Sequence, residues 1–246
     1  MILPSPADAK ASGIPSEFYA DIKIPIRDQK DSPLPSPNGS ILLPRYSQSR
    51  RPSANIRYTF KPLPSNCMLL APPDVPTPDC QKPYHITVNM NCFTPTSYIT
   101  SVRKQTWDGE EVGDFELGAT RSGSPGTILL RGNEYTLPDV LTEVTNSSRS
   151  AIHFKTWRWE VKSIQRQRPL YLYWDDHHGG GVLTVYSSDD RNESNLLARF
   201  TPRTTLRRKG QPAEPPSLVV SPLGHDLFDD ILLGALIIER LRTTPT

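Results

Sequence analysis

The chain has 246 residues, and its 28 basic and 26 acidic side chains leave a formal net charge of +2, so no global field directs it to nucleic acid or to a membrane. Cys67, Cys80 and Cys92 are odd in number and stand at no metal-ligand spacing, which predicts free thiols in a reducing, cytoplasmic compartment. Met1 to Gly13 lacks the basic and apolar regions of a secretion signal, so the sequons at Asn38, Asn146 and Asn192 are read as chance.

Seventeen of the 26 prolines fall at or before Pro95. Stretches such as Ser32 to Pro37 and Ala71 to Pro78 cannot donate to a sheet and favour extended, solvated backbone. Residues 1–80 are therefore expected to be a disordered proline-rich tail, with residues 81–246 as the folded domain. In the tail, Arg50-Arg51-Pro52-Ser53 fits a basophilic kinase site, and Ser5, Ser32 and Ser36 precede proline. P-x-x-P spacings at Pro73 to Pro76 and Pro212 to Pro215 make partners that read polyproline a second kind of candidate.

From Tyr84, Ile86, Val88 and Met90 alternate with polar residues, the period of a strand with one buried face. Further strands are expected over Tyr98 to Lys104, Val112 to Leu117, Thr127 to Arg131, Glu134 to Leu137, Ile152 to Val161, Leu170 to Trp174, Val182 to Tyr186, Leu196 to Thr201 and Leu218 to Ser221. Asp108-Gly109, Gly132-Asn133 and Asp175 to Gly181 supply turn chemistry between them. In the long segment, Ile152 and Phe154 share one face while Trp157, Trp159 and Val161 take the other parity, so a bulge near Lys155 and Thr156 is expected. Counted as two, it brings the total to about eleven strands.

Three short stretches invite a chemical reading. Trp174-Asp175-Asp176-His177-His178 gathers metal-ligand types, but the glycines that follow suit a hairpin loop. Asp189 to Asn195 is rich in oxygen ligands, yet a calcium loop begun at Asp190 would need Gly where Asn195 stands and Glu where Thr201 stands, so a polar turn is expected. No G-x-S-x-G elbow is present. No catalytic, cofactor or metal constellation is expected.

The segment from Leu227 to Leu241 is apolar on every side of a helix, which requires burial. Its uninterrupted run, Ile231 to Ile238, is shorter than the about 20 residues of a membrane span. A helix over 226–242 inside the protein is expected, with Asp226 as N-cap and Arg240 and Arg242 complementing its C-terminal dipole. An eight-stranded barrel holds only side chains, whereas about eleven strands leave room for a helix.

The short strands, the Trp-rich strand Trp157-Arg158-Trp159-Glu160, the strand Asn195 to Phe200 and the helix ending Ile238-Glu239-Arg240-Leu241-Arg242 together resemble a fungal domain family of unknown function in the tubby C-terminal-like superfamily, over roughly residues 84–242. That superfamily includes tubby, the LURP-one-related proteins and the phospholipid scramblases. The resemblance implies a mainly β fold, a closed antiparallel barrel of about 11–12 strands around a buried C-terminal helix. It also implies phosphoinositide binding through basic residues as a family property. The densest basic region here is Arg199 to Lys209, in which Arg203, Arg207, Arg208 and Lys209 are candidate contacts for anionic headgroups, against the alternative of a solvated loop. The functional expectation is a non-enzymatic binding or scaffold module. The alternatives are a peripheral membrane protein that recognises anionic phospholipid, and an enzyme whose site is assembled only in the fold.

Overall fold

Period-two alternation of apolar side chains raises a wall of strands, and an apolar helix fills the space behind it. The computed structural model describes residues 51–120, 125–145, 155–162, 168–176, 181–203 and 214–244, all within the unit Ser47–Thr246. Among these residues the strands are β1 (Ile56–Leu63), β2 (Cys67–Ala71), β3 (Tyr84–Met90), β4 (Ser97–Lys104), β5 (Glu111–Gly118), β6 (Thr127–Leu130), β7 (Asn133–Thr136), β8 (Leu141–Thr145), β9 (Lys155–Val161), β10 (Leu170–Asp175), β11 (Leu183–Tyr186), β12 (Leu196–Thr201) and β13 (Ser217–Val220), followed by the helix α1 (Phe228–Thr243). They form one antiparallel sheet of 13 strands in the order β7-β6-β5-β4-β3-β2-β1-β13-β12-β11-β10-β9-β8.

β1 and β2 correct the boundary expected at residue 80. Between Pro52 and Pro62 the chain is free of proline, and Ile56, Tyr58 and Phe60 alternate inward with Arg57 and Lys61 outward. Such a pattern makes a strand whatever the composition around it. β1 then pairs with β2 on one side and with β13 on the other, so two strands of the supposed tail sit in the middle of the sheet.

Other expectations shift in membership. β8 lies where no strand was expected, because Leu141 is buried while Thr142, Glu143 and Val144 are exposed, leaving no alternation to read. Ile152 and Phe154 lie outside the described residues, and β9 starts at Lys155. Leu137 leaves β7 to begin a 3-10 turn, Leu137–Asp139. The β6–β7 hairpin turns on Arg131 and Gly132, with φ of 51° and 78°, one residue earlier than expected. Positive φ at both positions suits a type I′ turn, which a glycine favours and an arginine tolerates only when held.

The helix is enclosed as expected. Ile231, Leu232, Ala235, Ile237 and Ile238 are all at 0 % exposure, burial of each of the four larger side chains stabilising by roughly 1.5–3 kcal/mol. Gly234 sits under the Trp174 indole, where a Cβ would come within 2.8 Å of the ring, so only glycine lets β10 approach this closely. α1 also meets Tyr58 of β1 through Phe228, Tyr84 of β3, Tyr98 of β4, Gly113 of β5 and Trp159 of β9. Strands from both halves of the sheet thus reach one helix, which requires the sheet to curl around it. Gly224–Leu227 forms a 3-10 turn before α1, and Leu227, not Asp226, occupies the N-cap without a side-chain cap. Asp226 instead pairs with Arg51.

The two edge strands, β7 and β8, are consecutive in the chain. An even number of antiparallel steps separates them, so they run in the same direction. β7 is bonded to β6 and β8 to β9. In the connection between them, Leu137 N–H donates to the Gly126 carbonyl at 2.7 Å, and the Val140 carbonyl accepts from Glu160 N–H at 2.8 Å. Beside β7, Arg131 donates to the Lys162 carbonyl at 2.7 Å and the Lys162 ammonium stands 5.4 Å from the Tyr135 ring. No ladder pairing joins β7 to β8 among the described residues.

Candidate functional site

The end of the wall at the start of α1 is a set of matched charges. Asp229 accepts from the Tyr84 hydroxyl at 2.7 Å and lies 3.1 Å from the Lys104 ammonium. Asp230, almost fully buried, accepts from the Trp159 indole N–H at 3.1 Å and pairs with Arg131. This contact holds Arg131 in its left-handed turn. The three carboxylates Asp226, Asp229 and Asp230 lie near the positive end of the helix dipole, where negative charge is favoured. Burial would lower the Lys104 pKa, but the Asp229 carboxylate and Glu110 outweigh it and raise it. Burial, reinforced by Asp229, pushes the Tyr84 hydroxyl well above its usual range. Two adjoining cavities of about 520 and about 180 Å³ open here, lined among others by Lys82, Lys104, His225 and Asp226.

Among the groups at this end, the His225 imidazole has the chemistry of a general base near neutral pH. Its Nδ1 lies 2.8 Å from the Ser221 carbonyl and its Nε2 3.0 Å from the Tyr58 hydroxyl. The carbonyl can only accept, so the network assigns the proton to Nδ1, and Nε2 accepts from Tyr58. Tyr58 in turn accepts from Gln81 N–H at 2.9 Å, and burial pushes its pKa up to about 12. With Tyr58 at 0 % exposure, no substrate atom can reach that hydroxyl, and the pair ties β1 to the start of the helix.

Burial depresses the His225 pKa below its ordinary value of about 6.5, the Ser221 carbonyl and Asp226 offsetting this only in part. The folded protein then binds fewer protons than the unfolded chain below about pH 6.5, so this stabilisation is complete above that pH and is lost as pH falls. The urea midpoint is expected to fall between pH 7 and pH 5.5, and to fall less in His225→Gln. Taking the difference between the two proteins removes the opposing contribution of Glu239, whose pKa burial raises. Equal pH slopes in both would exclude His225 as the sensitive group.

The other end, at the C-terminus of α1, carries the opening. A cleft of about 280 Å³ lies here, bordered by the end of β5, the residues before β6, the 3-10 turn after β7, β8, the start of β9 and the end of α1. Leu117, Leu137, Leu141, Trp157 and Leu241 line it with apolar surface. Its rim carries Glu143 and Lys155, exposed and 3.4 Å apart, and Arg242. Arg242 is committed elsewhere: it donates to the Gly181 carbonyl at 2.9 Å and lies 3.3 Å from Asp176 and 3.4 Å from Glu239. The cleft therefore offers shape and apolar contact, with one weakly held ion pair at its mouth.

Among the sequence candidates, Arg203 is exposed just beyond β12, while Arg207, Arg208 and Lys209 lie outside the described residues. His177 and His178 also lie outside them. Asp175 is buried and lies 3.1 Å from Arg191. Asp189 to Asn195 forms the connection between the paired strands β11 and β12, where Asn192 accepts from Asn195 N–H at 3.1 Å, as expected for a polar turn. Among the described residues, no group of three or more His, Cys, Asp or Glu could hold a metal ion, and no helix is long and apolar enough to cross a membrane. The P-x-x-P at Pro73 to Pro76 falls in the β2–β3 connection, inside the folded unit. The cleft went unread because Leu117, Leu137 and Leu141 look like ordinary core positions; the one sequence signal was Pro138, which interrupts a strand pattern.

No family model, curated protein or solved structure matches this chain.

Proposed function

We propose that this chain is a non-enzymatic binding module on a tubby-like closed barrel, and that it takes an apolar ligand, or an apolar group of a partner, in the cleft beside β8. The observation that carries the reading is the lining of that cleft, where apolar core side chains reach an opening. Closure of the barrel with β7 and β8 in line is supported by their like direction, with β7 bonded to β6 and β8 to β9. The tubby-like assignment draws support from the order of elements, strands first and an enclosed C-terminal helix last. Three free cysteines favour a cytoplasmic setting.

Melting of the full chain with neutral apolar probes such as decanol and N-phenyl-1-naphthylamine tests the reading. A ligand present at 100 times its Kd stabilises by about 2.7 kcal/mol, which corresponds to a rise in Tm of roughly 5–10 °C for a domain of this size. Trp157 fluorescence is expected to respond, and Leu141→Phe, which fills the cleft, is expected to remove the Tm shift while leaving the apo melt intact. No shift with any probe, or an equal shift in Leu141→Phe, would sink the cleft as the binding site.

A further inference from the structure

Arg50-Arg51-Pro52-Ser53 places two cations three and two residues before a serine, three residues ahead of β1. Ser53 is exposed, and its hydroxyl makes no hydrogen bond to another described residue. Pro52 is buried, which anchors the approach to β1 on the fold. The Arg51 guanidinium pairs with the Asp226 carboxylate just before α1, and the two side chains are 55 % and 40 % exposed. Arg51, Pro52 and Asp226 together line the cavity of about 520 Å³ at that end.

We propose that Ser53 is a phosphorylation site for a basophilic serine kinase, and that its phosphate takes Arg51 from Asp226. A kinase that reads two arginines needs both side chains free. An exposed ion pair holds Arg51 only weakly, so releasing it slows recognition by a factor of up to about five. In the step itself the γ-phosphoryl group of MgATP passes to Ser53 Oγ. The Oγ–P bond forms as the bond from Pγ to the β–γ bridging oxygen breaks, the hydroxyl proton leaves to the kinase's base and then to solvent, and ADP departs. The product carries about −1.5 to −2 charge two residues from Arg51, a stronger and geometrically better acceptor for a guanidinium than one exposed carboxylate. Asp226 is then left without its cation. The rim of the cavity changes from a neutral pair to an anionic edge, and the contact joining the approach to β1 with the start of α1 is released.

The full chain is incubated with the catalytic subunit of cyclic-AMP-dependent protein kinase and MgATP, and modified sites are read by mass spectrometry. Ser53 is expected to be modified in the folded protein, and Ser53→Ala to lose that signal. Asp226→Asn, which frees Arg51 at an exposed position, is expected to raise the initial rate by up to about fivefold. After exhaustive phosphorylation, a ³¹P titration is expected to find the second pKa of the phosphoserine below about 6, and to find it raised in Arg51→Gln. Modification of Ser53 only in urea or in a peptide of residues 47–58 overturns the site. An unchanged rate in Asp226→Asn together with an unchanged ³¹P titration in Arg51→Gln overturns the exchange of partners.

Discussion

Leu233→Asp is expected to abolish cooperative folding at 25 °C. Leu233 is 1 % exposed at the middle of α1, and its Cδ1 lies against Gly113 of β5, where a Cβ would come within 3.2 Å. A carboxylate there has no described cation within the apolar layer, so it must either ionise without a partner or take up a proton and remain a poor fit. Burial of an unpaired charge costs several kcal/mol, and loss of the leucine adds about 2–5 kcal/mol. A domain's whole margin is about 5–15 kcal/mol. Urea unfolding followed by near-UV circular dichroism, with size-exclusion chromatography, reads the outcome. Leu233→Met, nearly conserved in volume, is the control and should lose less than about 1.5 kcal/mol. A soluble, monomeric Leu233→Asp protein with the wild-type midpoint would mean that α1 is not enclosed.

Removal of residues 1–80 is expected to be equally damaging. The deletion takes β1 and β2 out of the middle of the sheet and exposes the edges of β3 and β13. It also removes Ile56, Tyr58, Phe60 and Leu70, each at most 7 % exposed, whose burial contributes roughly 6–12 kcal/mol together. Tyr58 sets its ring 4.8 Å from Phe228, edge to face, and bonds to His225, so the start of α1 loses its apolar cover and its tie to the wall. Expression of residues 81–246 should give aggregated protein, since unpaired central edges template association. Differential scanning calorimetry provides the check. A cooperative transition within about 8 °C of the full chain would return β1 and β2 to the status of an appendage.

The proline-rich composition misled at β1 because composition averages over a window, whereas a strand needs only a few alternating residues. Ile56, Tyr58 and Phe60 were present to be read, and Pro52 and Pro62 bracket them without interrupting them. β8 is a different case. From Leu141 to Val144 only Leu141 is buried, which carries no periodicity, and the strand exists because β9 offers it a hydrogen-bonding edge from Leu141↔Trp159 to Thr145↔Lys155. Asp226 shows the limit of local rules for helix starts: the residue type suits an N-cap, but the pairing with Arg51, 175 positions away in sequence, and the 3-10 turn place it elsewhere.

The amino-acid order by itself determined that α1 is buried, because a helix with no polar side exposes apolar surface in every orientation except an interior one. It also determined most strands from Tyr84 onward and the polar turn at Asp189 to Asn195, since alternation and turn chemistry act between residues close along the chain. Only the tertiary structure decided that β1 joins β13, that Asp229 and Asp230 meet Lys104 and Arg131, and that β7 and β8 form the two edges of the sheet. These contacts join residues far apart in sequence, and each forms only when burial of the common core offsets the entropy of closing the intervening loops. The cleft is of the same kind: its lining comes from five separate stretches of chain that become neighbours only when the sheet packs on the helix.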